Sequence, residues 1–328
     1  MTLIPRRTFL QYGGAAVAAA AGLMPQARQA GAEQAVAPLN RKFTMDLVCG
    51  AIGVGADQRE AIRLAQMAGF GSVAPAAPFL ADLPDAQLAE LLADLKARNL
   101  AWGAAGLPAE FRRDEARFQE DLKRLPHLAK GLQRAGVTRV GTWISPRHQE
   151  LTYVQNFRQH ANRLREIATV LGDCGLRFGL EYVGTKTLWT AERFPFIHTM
   201  AETKDLLAEI DRSNVGFVLD SWHWYTAGET VDDLRTLTNQ DVVACDLNDA
   251  PAGIPVEEQM DNARELPAAT GVIDLRAFLG ALIDMGYDGP VRAEPFNREL
   301  NALENEPAVL ATATAMKKAF SLIDAKGS

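Results

Sequence analysis

The sequence predicts an α/β fold, a single (β/α)8 TIM barrel, and three observations carry that prediction. From residue 43 onward, short β-branched or apolar runs alternate with longer stretches of helical period, the pattern of βαβ units on a parallel sheet. The alternation repeats eight times, the number that closes a barrel. No low-complexity linker interrupts residues 43–325, and barrels of this kind run to about 250 residues as one unit.

Taken in order, the strands are expected at residues 43–52, 71–75, 101–106, 139–144, 177–183, 215–220, 242–248 and 291–296. The intervening helices are expected at 58–68, 85–97, 113–135, 154–174, 201–210, 231–237, 275–285 and 308–323. Gly69, Gly136, Gly175 and Gly286 fall just past four of them, where a left-handed residue closes the last turn. A doubly wound sheet would instead open with G-x-G-x-x-G after its first strand. Gly50, Gly53 and Gly55 have neither that spacing nor a helix opening on them.

Residues 1–37 read as a twin-arginine signal, and 38–328 as the barrel domain. Pro5-Arg6-Arg7-Thr8-Phe9-Leu10 precedes an Ala-rich apolar stretch, and Ala35-Val36-Ala37 supplies a cleavage site. The apolar run is shorter than the ~20 residues that span a bilayer, so an exported, periplasmic product is expected in place of a stable membrane anchor. The translocation machinery is then a partner. Removing Arg6, Arg7, Arg28 and Glu33 leaves the chain still more acidic than its full-length net charge of −7. No run of Lys and Arg is present to displace counterions, which excludes nucleic acid as a partner. Self-association into an oligomer is compatible with the sequence. Cys49, Cys174 and Cys245 lack C-x-x-C spacing and read as small apolar residues without a disulfide framework.

Parallel barrel strands are buried on both faces and should be continuously apolar. The last four are not. Glu181 lies in Phe178-Gly179-Leu180-Glu181-Tyr182-Val183, Asp220 closes Phe217-Val218-Leu219-Asp220, Asp246 lies in Ala244-Cys245-Asp246-Leu247, and Glu294 follows Val291-Arg292-Ala293. All fall late in their strands, where barrel active sites are built. Two-residue alternation groups Gly179 with Glu181, Val218 with Asp220, Ala244 with Asp246 and Asn248, and Arg292 with Glu294, and these sets are assigned to the interior. Four carboxylates in an apolar mouth repel one another and are costly to desolvate unless a cation neutralises them. A divalent metal held by Glu181, Asp220, Asp246 and Glu294 is the economical answer. His223, three residues after Asp220, adds a protonatable group at the same rim.

With these residues in view the chain resembles the xylose isomerase-like sugar isomerase/epimerase superfamily. The resemblance spans roughly residues 43–325. It rests also on Glu181-Tyr182-Val183-Gly184, on Arg264-Glu265-Leu266-Pro267 with Gly271-Val272-Ile273-Asp274, and on Gly286-Tyr287-Asp288-Gly289-Pro290. It implies one divalent metal on a Glu, an Asp, a His and a Glu from successive strands. Glu181, Asp220 and Glu294 match, but the family's His-x-x-Asp is here Asp246-x-x-Asp249. If Asp246 takes the ligand's place the set is all-oxygen, favouring Mn²⁺ or Mg²⁺, with Co²⁺ and Zn²⁺ as the softer options. Hydrogen bonding to substrate without a metal stays open.

The implied chemistry is proton transfer next to a carbonyl. Glu181 and Glu294 are the candidate acid/bases, and Arg292 or His223 stabilises the enediolate. Isomerisation, epimerisation and elimination of a leaving group from a 3-keto sugar share that intermediate. The substrate is expected to be a non-phosphorylated sugar or keto-sugar, because the loops after strands 7 and 8 lack a Gly-rich phosphate cradle. Trp143, Trp222, Trp224 and Tyr225 are candidates to stack on a pyranose. A non-catalytic sugar-binding barrel would not need two acid/bases, and a DNA-repair endonuclease would need more His than the five present.

Overall fold

Eleven strands, numbered in chain order, frame the computed structural model, which describes residues 41–324. The signal reading of residues 1–37 lies outside the described residues. Nine strands run parallel in one sheet: β1 (Thr44–Leu47), β2 (Ser72–Val73), β3 (Ala101–Trp102), β4 (Ala105–Gly106), β5 (Arg139–Trp143), β7 (Arg177–Glu181), β9 (Val215–Asp220), β10 (Val242–Leu247) and β11 (Pro290–Ala293). The remaining two, β6 (Arg147–His148) and β8 (Phe194–Pro195), form a small antiparallel pair.

The sheet order is β3-β2-β1-β11-β10-β9-β7-β5-β4. β3 and β4 stand at its two ends, yet only Gly103 and Ala104 separate them in the chain. The expected third strand, 101–106, is therefore one barrel strand cut in two. Its first half pairs with β2 and its second with β5, which closes the ring. The cut has a local cause: a Cβ at residue 103 would lie 2.3 Å from Asp46 Oδ1, so only glycine lets the backbone pass this side chain.

Six strands end earlier than expected, four by one or two residues and the first and last by more. The first stops at Leu47, and Cys49–Ile52 forms a 3-10 turn closed by Gly53 at φ 74°. The last stops at Ala293, because Pro295 has no N–H to give the ladder and Phe296 adopts φ 41°. Glu294 thus stands just beyond its strand. The helices Gln58–Ala68 and Asp85–Ala97 have the expected bounds, and Glu115–Arg134, Tyr153–Asp173, Met200–Ile210, Val231–Arg235, Leu275–Asp284 and Asn305–Asp324 differ at their ends. The short helices Ala77–Asp82, Lys186–Trp189, Ser221–Thr226 and Arg298–Asn301 fall in expected loops, since so few residues carry no helical period.

Most of the core lies between the sheet and its helices. A separate small cluster, Ala104, Val218 and Ala244, fills the barrel interior. Gly179 packs into the same layer, where a Cβ would meet Val218 Cγ2 at 2.8 Å. This floor agrees with the inward sets read from the alternation, and the charged residues of those sets stand above it. Among the described residues no helix is long and apolar enough to cross a membrane.

Candidate active site

Strand register brings the charged residues to one level. Asp46 of β1 aligns with Arg292 of β11, Arg292 with Asp246 of β10, and Asp246 with Asp220 of β9. Asp220 and Asp246 are fully buried, Glu181 nearly so, and Glu294 is half-buried. The structure therefore gathers the four carboxylates that the sequence singled out.

Asp220 does two jobs. Its Oδ1 accepts from the Trp222 backbone N–H at 2.8 Å, capping the short helix Ser221–Thr226, and from Asn248 Nδ2 at 2.9 Å. Asn248 Oδ1 in turn accepts from the Glu294 N–H at 3.0 Å, tying the end of β11 to β9. Asp220 Oδ2 receives Arg264 Nη1 at 2.7 Å.

Two arginines enter this acidic cluster. Arg292 forks onto Asp246, with Nη2 to Oδ2 at 2.8 Å and Nε to Oδ1. Both Asp246 oxygens are thus engaged by a cation of the chain itself, and Arg292 is held against Asp246. Arg264 was not expected as a site cation, because it lies in the long loop after β10, where alternation gives no inward direction. Its buried guanidinium reaches Asp220, Asp261 Oδ1 at 3.0 Å, His223 Nε2 at 3.2 Å and Glu294 Oε2 at 3.5 Å. Asp249 builds that loop: its Oδ2 accepts from the Thr270 and Gly271 N–H groups at 2.9 and 2.7 Å, and its Oδ1 from Ile273 N–H at 3.0 Å. Asp249 is therefore a loop organiser, and the motif around Arg264 is what it holds in place.

Burial sets the protonation states. It pushes Glu181 well above the carboxylate range, helped by the charges of Glu294, Asp246 and Asp220. Glu294 is raised to about 8 by burial and Asp246. His223 is lowered to about 3 by burial and by Arg264, so its ring is uncharged at neutral pH. Asp46, missed because it lies early in its expected strand 43–52 and not at the C-terminal end, is raised to about 6 by burial, and neither of its oxygens has a hydrogen-bond partner.

The cluster fits a divalent cation. Glu181 Oε1 is buried with no hydrogen-bond partner among further carboxylates, an arrangement that calls for positive charge. One ligand atom each from Glu181, Asp220 and His223 lies within 4.8 Å of the others, and the same holds for Glu181, Asp246 and Glu294. His223, placed by sequence only at the rim, belongs to the first of these groups.

Two cavities open over the cluster. One of about 270 Å³ is lined by His223, Asp261 and Arg264, and the other, of about 420 Å³, by Arg112, Thr142 and Arg292. Glu181, Glu294, Trp143 and Phe296 border both. Trp143 is 45% exposed, whereas Trp222 is buried with its N–H on Thr185 Oγ1 at 2.9 Å, and Trp224 packs on Phe278. Trp143 therefore stays available for stacking, and Trp222 and Trp224 are packing residues. Phe296, held over the Arg264 guanidinium at 4.7 Å, is the rim aromatic that sequence missed.

Residues 62–319 match the xylose isomerase-like TIM barrel family. The chain belongs to this family. Among solved xylose isomerase-like barrels, a xylose isomerase domain protein from Alicyclobacillus acidocaldarius shares 31% identity at a TM-score of 0.72, over 84% of this chain and 97% of that one. The IolI protein, solved with a bound zinc atom, has a TM-score of 0.69 at 21% identity, over 86% and 98% of the two chains, a likeness of fold. Inosose isomerase of Bacillus subtilis is 24% identical over 214 residues, 64% of this chain and 74% of the relative. The 3-dehydroshikimate dehydratase of Pseudomonas aeruginosa is 29% identical over 138 residues, 42% of this chain but only 20% of that protein.

Proposed function

We propose that this barrel is an isomerase or epimerase of a non-phosphorylated sugar or keto-sugar, moving a proton through an enediolate with Glu181 and Glu294 as the acid/base pair. The observation that carries the reading is that these two carboxylates border the same cavities, with ligand atoms within 4.8 Å of each other and of Asp246. A carbon flanked by a carbonyl and a hydroxyl, seated between them, has a base on hand to take its proton and an acid to return one. Arg264 places a guanidinium beside Glu294 and Asp220, where charge on an enediolate oxygen would develop. His223, uncharged, donates or accepts at the same edge. Burial pushes the Asp246 carboxyl up, and the Arg292 fork opposes that push while holding Asp246 in place beside Glu294.

A divalent cation on Glu181, Asp220 and Glu294, with His223 or Asp246 completing the set, would polarise the carbonyl and hydroxyl oxygens as a Lewis acid. The oxygen donors favour Mn²⁺ or Mg²⁺, and participation of His223 moves the preference toward Co²⁺ or Zn²⁺. The zinc-bound IolI structure and the inosose isomerase relative support this reading. The dehydratase relative favours a second one, elimination from a keto-sugar, in which Glu294 as the protonated partner hands its proton to the departing oxygen.

The deciding test is NMR of sugars and 3-keto sugars in D₂O. Isomerisation or epimerisation carries deuterium into recovered product, whereas elimination yields an unsaturated ketone. Glu294→Gln keeps the shape and removes the base, so turnover should fall by at least ~10²-fold. Normal turnover by this variant would overturn the assignment.

A further inference from the structure

A third cavity, of about 480 Å³, adjoins the site. Trp143 borders all three cavities and Arg112 borders this one and the 420 Å³ cavity, so the three adjoin one another around Trp143. One sugar ring does not need all of them.

Two side chains that border the third cavity carry buried polar atoms that the fold does not use. Asn156, on the helix Tyr153–Asp173, is 1% exposed, and neither its Oδ1 nor its Nδ2 has a hydrogen-bond partner. One turn later His160, 3% exposed, gives its Nδ1 to the Asn156 carbonyl at 3.0 Å, which makes Nδ1 the protonated nitrogen and leaves Nε2 a free acceptor without a partner. The ring is wedged between Phe111 and Phe196, at centroid distances of 5.5 and 4.8 Å, so it cannot swing to another partner. Burial lowers its pKa to about 4, keeping it neutral. Buried polar atoms without partners oppose folding, and a ligand that completes them is the physical reason to retain them.

The wall charges cancel locally. Arg112 pairs with Glu110 at 3.1 Å and Arg147 with Glu192 at 2.9 Å, and the two remaining charged residues of the wall, Arg113 and Glu150, are exposed and of opposite sign. Arg112 also lies over Trp143, its Cζ 4.5 Å from the ring centroid, and donates to the Trp143 carbonyl at 2.8 Å, which fixes the indole between the inner and outer cavities. An amide with free donors and acceptor, a neutral imidazole acceptor and a fixed aromatic edge are the groups that bind a neutral polyhydroxylated ring.

We infer that the protein takes a disaccharide or glycoside: the reacting ring lies at Glu181 and Glu294, and a second, uncharged sugar unit lies beyond Trp143 on Asn156 and His160. The inference rests on the sugar-isomerase reading for its inner ring, while the outer subsite is tested by binding alone. Affinities of the full chain for glucose, maltose and cellobiose are measured by calorimetry, with saturation-transfer NMR reporting which ring is held. At least one disaccharide should bind about ten-fold more tightly than glucose, the gain from two additional hydrogen bonds. Asn156→Leu and the cavity-blocking Gln149→Trp should each erase that advantage and leave glucose binding unchanged. Asn156→Leu should also melt no lower than the parent, because the amide has no protein partner to lose.

Equal affinity for glucose and both disaccharides, no binding of any of them, or an advantage that survives both substitutions would overturn the subsite. So would a lowered melting temperature of Asn156→Leu, since it would give the amide a structural role. A disaccharide preference without any C–H exchange in D₂O would instead overturn the isomerase reading and keep the subsite.

Discussion

At the scale of the residue, the site is a balance between buried acids and two arginines. Arg292 donates to both oxygens of Asp246, Arg264 is shared among Asp220, Asp261 and Glu294, and Glu181 Oε1 and Asp46 are left without partners. Asp46 permits a test of sign. Its folded pKa of about 6 lies above its ordinary 3.8, so the fold disfavours its charged form. The cost is absent below about pH 3.8, grows as pH rises to about 6 and is full above that, reaching up to about 3 kcal/mol. Asp46→Asn should therefore raise the melting temperature at pH 8 and leave it nearly unchanged near pH 4. A gain of the same size at both pH values would show that the charge on Asp46 is not what opposes folding.

At the scale of the element, the barrel bends its regular pattern where the site needs room. The strand 101–106 divides at Gly103 because Asp46 occupies the space its Cβ would take, whereas a Cβ at Gly106 would meet nothing within 4 Å. Gly103→Ala should destabilise by about 1–3 kcal/mol, the usual cost of overpacking, and Gly106→Ala by much less. Thermal unfolding of the pair checks this, and equal effects would remove the steric explanation. The early end of β11 is of the same kind: Pro295 and the positive φ of Phe296 stop the ladder, leaving Glu294 free of strand geometry and Phe296 over Arg264.

At the scale of the whole molecule, a bound divalent cation would tie together β7, β9 and the segment after β11. If it binds only the folded chain, a concentration 100-fold above Kd contributes about 2.7 kcal/mol. EDTA should abolish activity and lower the melting temperature, with recovery on adding Mn²⁺ or Mg²⁺. An apo-protein of full activity and undiminished stability would overturn the metal centre and leave the buried acids to be balanced by the chain's own arginines. Export is tested on the same scale: replacing Arg6 and Arg7 by Lys should strand the precursor in the cytoplasm, and mature protein appearing outside regardless would end the signal-peptide reading.

The barrel, the strand positions and the convergence of Glu181, Asp220, Asp246 and Glu294 are legible in the sequence, because a two-residue period against an apolar background reports which side chains point inward. Glu294 is expected inside strand 291–296 and stands just beyond its end, at a depth that follows from the strand that launches it. Alternation is silent outside strands, and there the tertiary structure decides. Arg264 reaches the site from a loop whose shape is held by four backbone N–H groups that donate to the Asp249 carboxylate. Asn156 and His160 sit on a helix whose buried face reads as core, and only the cavity beside them distinguishes a satisfied polar group from one awaiting a ligand. Local sequence fixes the direction of a side chain along its own element. Which charges meet, and which remain unpaired, depends on distances between elements, and these exist only once the barrel has closed.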